Sequence, residues 1–256
     1  MPRYQRQELF TGLGREGQRR LLNARVLLVG LGGRGSWLSE ILVRAGVGML
    51  RLVDDDTVDW TNIARQAMYD ELDAAEHSPK VISAAECLSR INHNLDVEPI
   101  QTRLRENNIA TLAEQMDLVL DATNDWASRF LINDYAVKMN VPWVFAGVVR
   151  DEGQVMSILP GRTACLRCLY EQPPSAEQQR GARASVLGVL GSAVAVVAAL
   201  QANEAIKILA GRTEAVNPYL TKLDLWSNQL QQVAVARPDD DACPCCGQRR
   251  FDFLEP

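Results

Sequence analysis

The stretch Val26–Gln66 constrains what this chain can fold into more than any other. Val26–Val29 is a short apolar run of the kind buried on both faces of a sheet. It runs into Gly30-Leu31-Gly32-Gly33-Arg34-Gly35. After that turn Trp37, Leu38, Ile41, Leu42 and Ala45 recur at helical spacing. Gly46-Val47-Gly48 ends the helix, and Met49–Val53 gives a second strand that runs into Asp54-Asp55-Asp56. Strand, glycine turn, helix, strand and acid, in that order, read as a nucleotide-binding βαβ unit. Gly30, Gly32 and Gly35 carry the GxGxxG spacing, which lets backbone amides approach phosphate at the positive end of the following helix. Asp54 is placed to accept from ribose hydroxyls.

The remaining chain extends this unit into an α/β protein with a Rossmann-like, doubly wound, mostly parallel sheet. A helix is expected over Arg15–Leu22. Ser78-Pro79-Lys80 opens another that runs to Ile91, with proline suited to its first turn. Strands are expected at Leu95–Ile100, Asp117–Asp121, Val141–Gly147 and Gly153–Leu159, the last antiparallel. Helices are expected at Glu106–Gln115 and Trp126–Asn140. Glu171–Ala184 is polar, has no hydrophobic period and reads as a mobile surface loop. Val186–Ala210 reads as one buried apolar helix. Tyr219–Trp226 and Leu230–Ala236 read as an antiparallel hairpin through Ser227-Asn228-Gln229.

Composition narrows the function classes. A net charge of −5 over 256 residues argues against nucleic acid as the main partner. The polar start MPRYQRQELF has no signal-peptide pattern, and the apolar run Val186–Leu200 leads straight into Gln201, Asn203, Glu204 and Lys207. No membrane partner and a cytoplasmic setting are therefore expected. In that setting Cys165-x₂-Cys168 and Cys243-x₂-Cys246 read as two knuckles of a closed structural zinc site. Cys245, inside the second knuckle, is expected to be a spare or a substitute for Cys243 as a ligand, and Cys87 a core residue.

Asn62, Arg65 and Lys80 follow the nucleotide acid closely. With Arg6 they bring three cations and an amide, suited to a triphosphate. Only two histidines are present, His77 and His93, and no Ser–His–Asp arrangement stands out.

The segments RYQRQ, GLGGRG, DDDTV-x₃-NIARQ, SPKV, DLVLDAT, CLRC, GVLGS…EAIKILAG and CPCCG, in this order, run from Arg3 to Gly247. The chain resembles the enzymes that adenylate ubiquitin-like proteins, in the bacterial MoeB/ThiF/HesA branch. That resemblance implies one adenylation domain over residues 1–256, with a nucleotide-binding half at 24–150 and a carrier-binding half at 151–256. It implies ATP held by Gly33 and its neighbours, with Asp54 on ribose and Asn62, Arg65 and Lys80 on the phosphates. Asp56 and Asn124 would lie in the same site. Arg6 would reach the site of a partner subunit, so a homodimer is implied. Residues 171–184 would cross over the flexible Gly-Gly tail of a small β-grasp sulfur carrier, whose terminal carboxylate attacks ATP and releases pyrophosphate.

Two features depart from that pattern. The family usually has Asp at the position of Asn124, where it supports Mg²⁺; here the acid stands one place on, and Asp125 is expected to ligate magnesium directly or through water. Residues 171–184 contain no cysteine, so the reaction is expected to stop at the acyl-adenylate, with sulfur supplied by a separate donor protein. The alternatives are adenylation of another carboxylate or carbonyl oxygen, a nicotinamide-dependent oxidoreductase on the same fold, and a non-catalytic scaffold for a β-grasp partner.

Overall fold

The period-two alternation of the first strand decides which helices cover which face. Val26 and Leu28 belong to one buried apolar cluster, Leu27 and Val29 to another. The computed structural model describes residues 2–181, 184–236 and 242–255. Eight strands form one sheet: β1 (Arg25–Val29), β2 (Met49–Asp54), β3 (Asp96–Gln101), β4 (Leu118–Asp121), β5 (Trp143–Val149), β6 (Glu152–Ile158), β7 (Leu220–Asp224) and β8 (Gln229–Val233). Their order is β3-β2-β1-β4-β5-β6-β7-β8. Pairings from β3 to β5 are parallel; those from β5 to β8 are antiparallel. The doubly wound sheet with antiparallel C-terminal strands is thus present as expected.

The longer helices are α1 (Gly14–Asn23), α2 (Gly33–Ala45), α3 (Lys80–Ile91), α4 (Trp126–Met139) and α5 (Gly191–Leu209). Leu21 of α1, Leu38 and Leu42 of α2, Leu88 of α3 and Val197, Ala202 and Ala205 of α5 pack with Val26, Leu28, Leu50 and Leu52. On the opposite face Phe130, Leu131 and Tyr135 of α4 pack with Leu27, Val29, Trp143 and Phe145. Each fully buried Leu in these layers stabilises the fold by about 2 kcal/mol relative to exposure. Helix α2 ends where Gly46 adopts φ 89°, with its N–H returning to Leu42 and Val43.

Three elements differ from the sequence reading. The helix expected at Glu106–Gln115 is reduced to Ile109–Leu112. Asn108 draws the preceding chain into a turn, accepting from Arg105 N and donating to Arg103 O, and Gln115 takes φ 60° just beyond. The run Val186–Ala210 is two helices, Ala184–Leu187 and α5. Gly188 at φ 77° separates them, and its carbonyl and the Leu190 N–H both bond to the Arg150 backbone. Within 171–184, Ala176–Gly181 is helical. A reciprocal cap starts it: Ser175 Oγ accepts from Gln178 N, and Gln178 Oε1 accepts from Ser175 N. Residues 182 and 183 of that segment lie outside the described residues.

Helix α5 is long and apolar enough to cross a membrane by composition, yet more than half of it is buried within the protein. It turns Gln201 inward, where Nε2 donates to the carbonyls of Asp121 on β4 and Val144 on β5.

Candidate functional site

The chain leaves β1 toward β2 and β3 and returns to β4 on the other side of β1. At such a switch point the loops beyond the carboxyl ends part and leave a crevice. A cavity of about 850 Å³ lies there, lined by Gly30, Gly32, Gly33, Asp54, Asp56, Asn62, Arg65, Lys80, Asn124 and Asp125. It continues along β5 to β7 past Gly147, Gly153, Gln154 and Lys222 to Gln179. The sequence-predicted nucleotide residues therefore converge, with two exceptions.

Gly35 is buried behind the turn. A Cβ there would lie 1.9 Å from the Gly30 carbonyl oxygen, so this glycine is required for turn–helix packing and does not face the cavity. Gly30, at φ 92°, presses against the Ala122 backbone in the same way. Gly32 has open space where a Cβ would stand, and Gly33 abuts Val194 of α5. The Tyr69 hydroxyl pins the turn from below through the Leu31 carbonyl. Arg6 is the second exception. It sits exposed on the short helix Gln5–Leu9 and does not line the cavity of its own chain.

Asp54 buttresses the turn: Oδ2 accepts from Leu31 N at 2.5 Å and Oδ1 from Asp56 N at 2.8 Å. Burial raises its carboxyl above the ordinary range, opposed by those amides and by Lys80. Lys80 opens α3 and is 5% exposed. Its Nζ is held 2.9 Å from Asp56 Oδ2, whose side chain is 70% exposed. The ammonium is thus presented by a partner that solvent can screen. Asn62 is buried and accepts from Asp59 N, closing a capping box around Trp60–Asn62. Arg65 donates from Nη1 to the Thr61 carbonyl, and the start of α5 abuts the preceding carbonyl, of Ala64, through Gly191.

Asp125 has a structural role as well as a place in the cavity lining. It is the N-cap of α4, with Oδ1 accepting from Ser128 N and Oδ2 from Ser128 Oγ, both at 2.8 Å. Asn124 is exposed at the rim and neutral. Each Asp125 oxygen accepts one hydrogen bond and keeps a further lone pair, so the cap leaves room for the expected magnesium contact from the cavity. Two residues given no role of their own in the sequence reading, Arg34 and Arg129, fill the space behind: both donate to the Thr123 carbonyl. Their signal was faint, an arginine within a glycine turn and another within an apolar helix.

The cysteine cluster lies apart, on the α4 face. The four Sγ atoms of Cys165, Cys168, Cys243 and Cys246 are all within 4.8 Å of one another, with Cys165–Cys243 at 3.6 Å and Cys168–Cys246 at 3.5 Å. A tetrahedral ion with bonds of about 2.3 Å needs sulfurs about 3.8 Å apart, so the set fits a metal ion. Asn133 of α4 joins the two knuckles: Oδ1 accepts from Leu166 N, and Nδ2 donates to Cys245 Sγ. Cys245 is thereby engaged outside the cluster.

A switch-point crevice with a glycine turn, an acid at the end of β2 and clustered cations is the architecture of a nucleotide-binding α/β protein, here with a separate four-cysteine centre. Comparison with known proteins narrows the class. The ThiF family model matches residues 4–245, and the chain belongs to that family. It is 37% identical over 252 residues to the sulfur carrier protein ThiS adenylyltransferase of Bacillus subtilis, spanning 98% of this chain and 73% of the relative. It is 36% identical to the molybdopterin-synthase adenylyltransferase of Escherichia coli, with 97% of each chain covered. The solved structure of E. coli MccB with ATP superposes with a TM-score of 0.77 at 24% identity over 91% of this chain and 69% of that one, which establishes likeness of fold.

Proposed function

We propose that this protein is an ATP-dependent adenylyltransferase for the C-terminal glycine of a small β-grasp sulfur carrier. One observation carries the reading: the cavity that gathers Gly32, Gly33, Asp54, Asn62, Arg65 and Lys80 continues along β5 to β7 to Gln179 of the crossover segment. The first part suits ATP and the second an extended peptide tail. Residues 24–150 thus form the nucleotide-binding half and 151–256 the carrier-binding half of one catalytic unit.

A terminal carboxylate has an ordinary pKa of about 3.5 and arrives ionised at neutral pH. The reaction then needs no general base, only alignment and charge neutralisation. Amides of the glycine turn and the cations Arg65 and Lys80 hold the triphosphate, Asn62 supplies an amide, and Asp54 holds ribose. The carboxylate attacks the α-phosphorus, the bond to the β-phosphate oxygen breaks, and pyrophosphate leaves on the cationic side. His77 and His93 are exposed and do not line the cavity, in keeping with chemistry that uses no imidazole. Magnesium accompanies ATP as its counter-ion. The four cysteines hold structural zinc, tying the C-terminal segment to α4.

Arg6 completes the site from the partner subunit of a homodimer; exposed Leu9 and Phe10 beside it supply apolar contact area. The product is the acyl-adenylate, passed in the cytoplasm to a separate sulfur donor protein. ATP–pyrophosphate exchange stimulated by a carrier ending in Gly-Gly tests the reading. Exchange that depends on the terminal Gly-Gly is expected; tight carrier binding without exchange favours the scaffold.

A further inference from the structure

Arg34, the second residue of α2, is 5% exposed beneath the glycine turn. Nη1 donates to the Asp121 carbonyl at 2.7 Å and Nη2 to the Thr123 carbonyl at 2.6 Å. Each acceptor has a second donor. Gln201 Nε2 reaches the Asp121 carbonyl at 2.8 Å, and Arg129 Nη2 reaches the Thr123 carbonyl at 2.9 Å. Neither carbonyl would be stranded without Arg34, so what this side chain adds is its charge.

Among the described residues that charge is not balanced nearby. Arg129 is also buried, and its Nε lies 3.3 Å from Oδ2 of the fully buried Asp121. The other Asp121 oxygen accepts from Thr123 N and Oγ1. Two buried guanidinium groups therefore face one buried carboxylate. The next carboxylate in the loop, half-buried Asp125, is turned toward Ser128. Burial draws Arg34 down to about 10, with Asp121 opposing and Arg129 adding to the shift. An excess buried cation destabilises a fold that contains no anion to meet it. Arg34 lines the same cavity as Gly32 and Gly33, where the nucleotide phosphates would lie.

We propose that Arg34 is a buried counter-charge for the phosphate chain, raising polyphosphate affinity through its field at the expense of ligand-free stability. The inference rests on the nucleotide reading above. The test is calorimetric titration of the full-length protein with magnesium-ATP and with adenosine, together with ligand-free thermal unfolding. For Arg34→Met the ATP Kd rises by about tenfold, as expected for one charge acting through several ångströms of protein. The adenosine Kd is unchanged, and the ligand-free midpoint is at or above wild type. Arg34→Lys, which keeps the charge, retains most of the ATP affinity.

Wild-type ATP affinity in Arg34→Met would overturn the proposal. So would equal weakening of ATP and adenosine, which reports a collapsed pocket, or a lowered midpoint or failure to fold in the methionine variant. Wild-type protein that binds neither ATP nor adenosine would refute the nucleotide reading itself.

Discussion

Gly35→Ala isolates the geometry of the glycine turn from its chemistry. The added methyl carbon would stand 1.9 Å from the Gly30 carbonyl oxygen and 2.8 Å from its carbon, and both atoms are backbone. Real Cβ contacts below 3.0 Å are essentially never seen, so the turn and the start of α2 must part by roughly 1 Å, at an overpacking cost of about 1–3 kcal/mol. A displacement of that size at a phosphate-aligning turn slows catalysis by about a hundredfold. The assay is carrier-stimulated ATP–pyrophosphate exchange, paired with urea denaturation. Gly32→Ala is the control, because its Cβ meets nothing within 4 Å. That variant should keep wild-type stability, and any lost exchange then reports ligand contact. Wild-type exchange and stability in Gly35→Ala would refute the reasoning.

Asp125→Ala removes the N-cap of α4 and should lower stability by about 1 kcal/mol; it should also raise the magnesium requirement of exchange, and an unchanged requirement would remove Asp125 as a ligand. Mercurial titration of the thiols should release one zinc per chain, and Cys243→Ser should abolish that release and lower the unfolding midpoint. Asp252 is held below the usual carboxylate range by Arg167, which is itself buried, and by Arg250. A depressed carboxyl contributes stability that is present above its unfolded value of about 3.9 and lost as pH falls through the folded one. Hydrogen-exchange protection factors near Phe251–Leu254, corrected for the intrinsic rate, should therefore fall below about pH 4, and Asp252→Asn should remove that acid step.

The βαβ unit is legible from end to end because each of its signals is local: two short apolar runs, a helical period and glycines at fixed spacing. The cysteine pairs are legible for the same reason. What sequence does not display is which oxygen is already taken. Asp125 looks like an acid with no structural duty until both of its oxygens are seen to accept from Ser128, although an acid directly before a helix carries the cap signature. Gly188 stands near the start of a long apolar run, and only the Arg150 backbone beside it shows why the helix breaks there. Arg34 is silent for a different reason: its meaning depends on Asp121 and Arg129, distant in sequence.

Gln201 has a consequence for how such a crevice is dimensioned. Strands β4 and β5 pair at Val119↔Trp143 and Leu120↔Val144, and where that register ends a single carboxamide joins them through the Asp121 and Val144 carbonyls. The breadth of the opening is thus gauged by a side chain on a helix at the back of the sheet, lying outside the set that lines the cavity. Exchanging that spacer would retune the room offered to an incoming peptide end while every group facing the nucleotide keeps its identity.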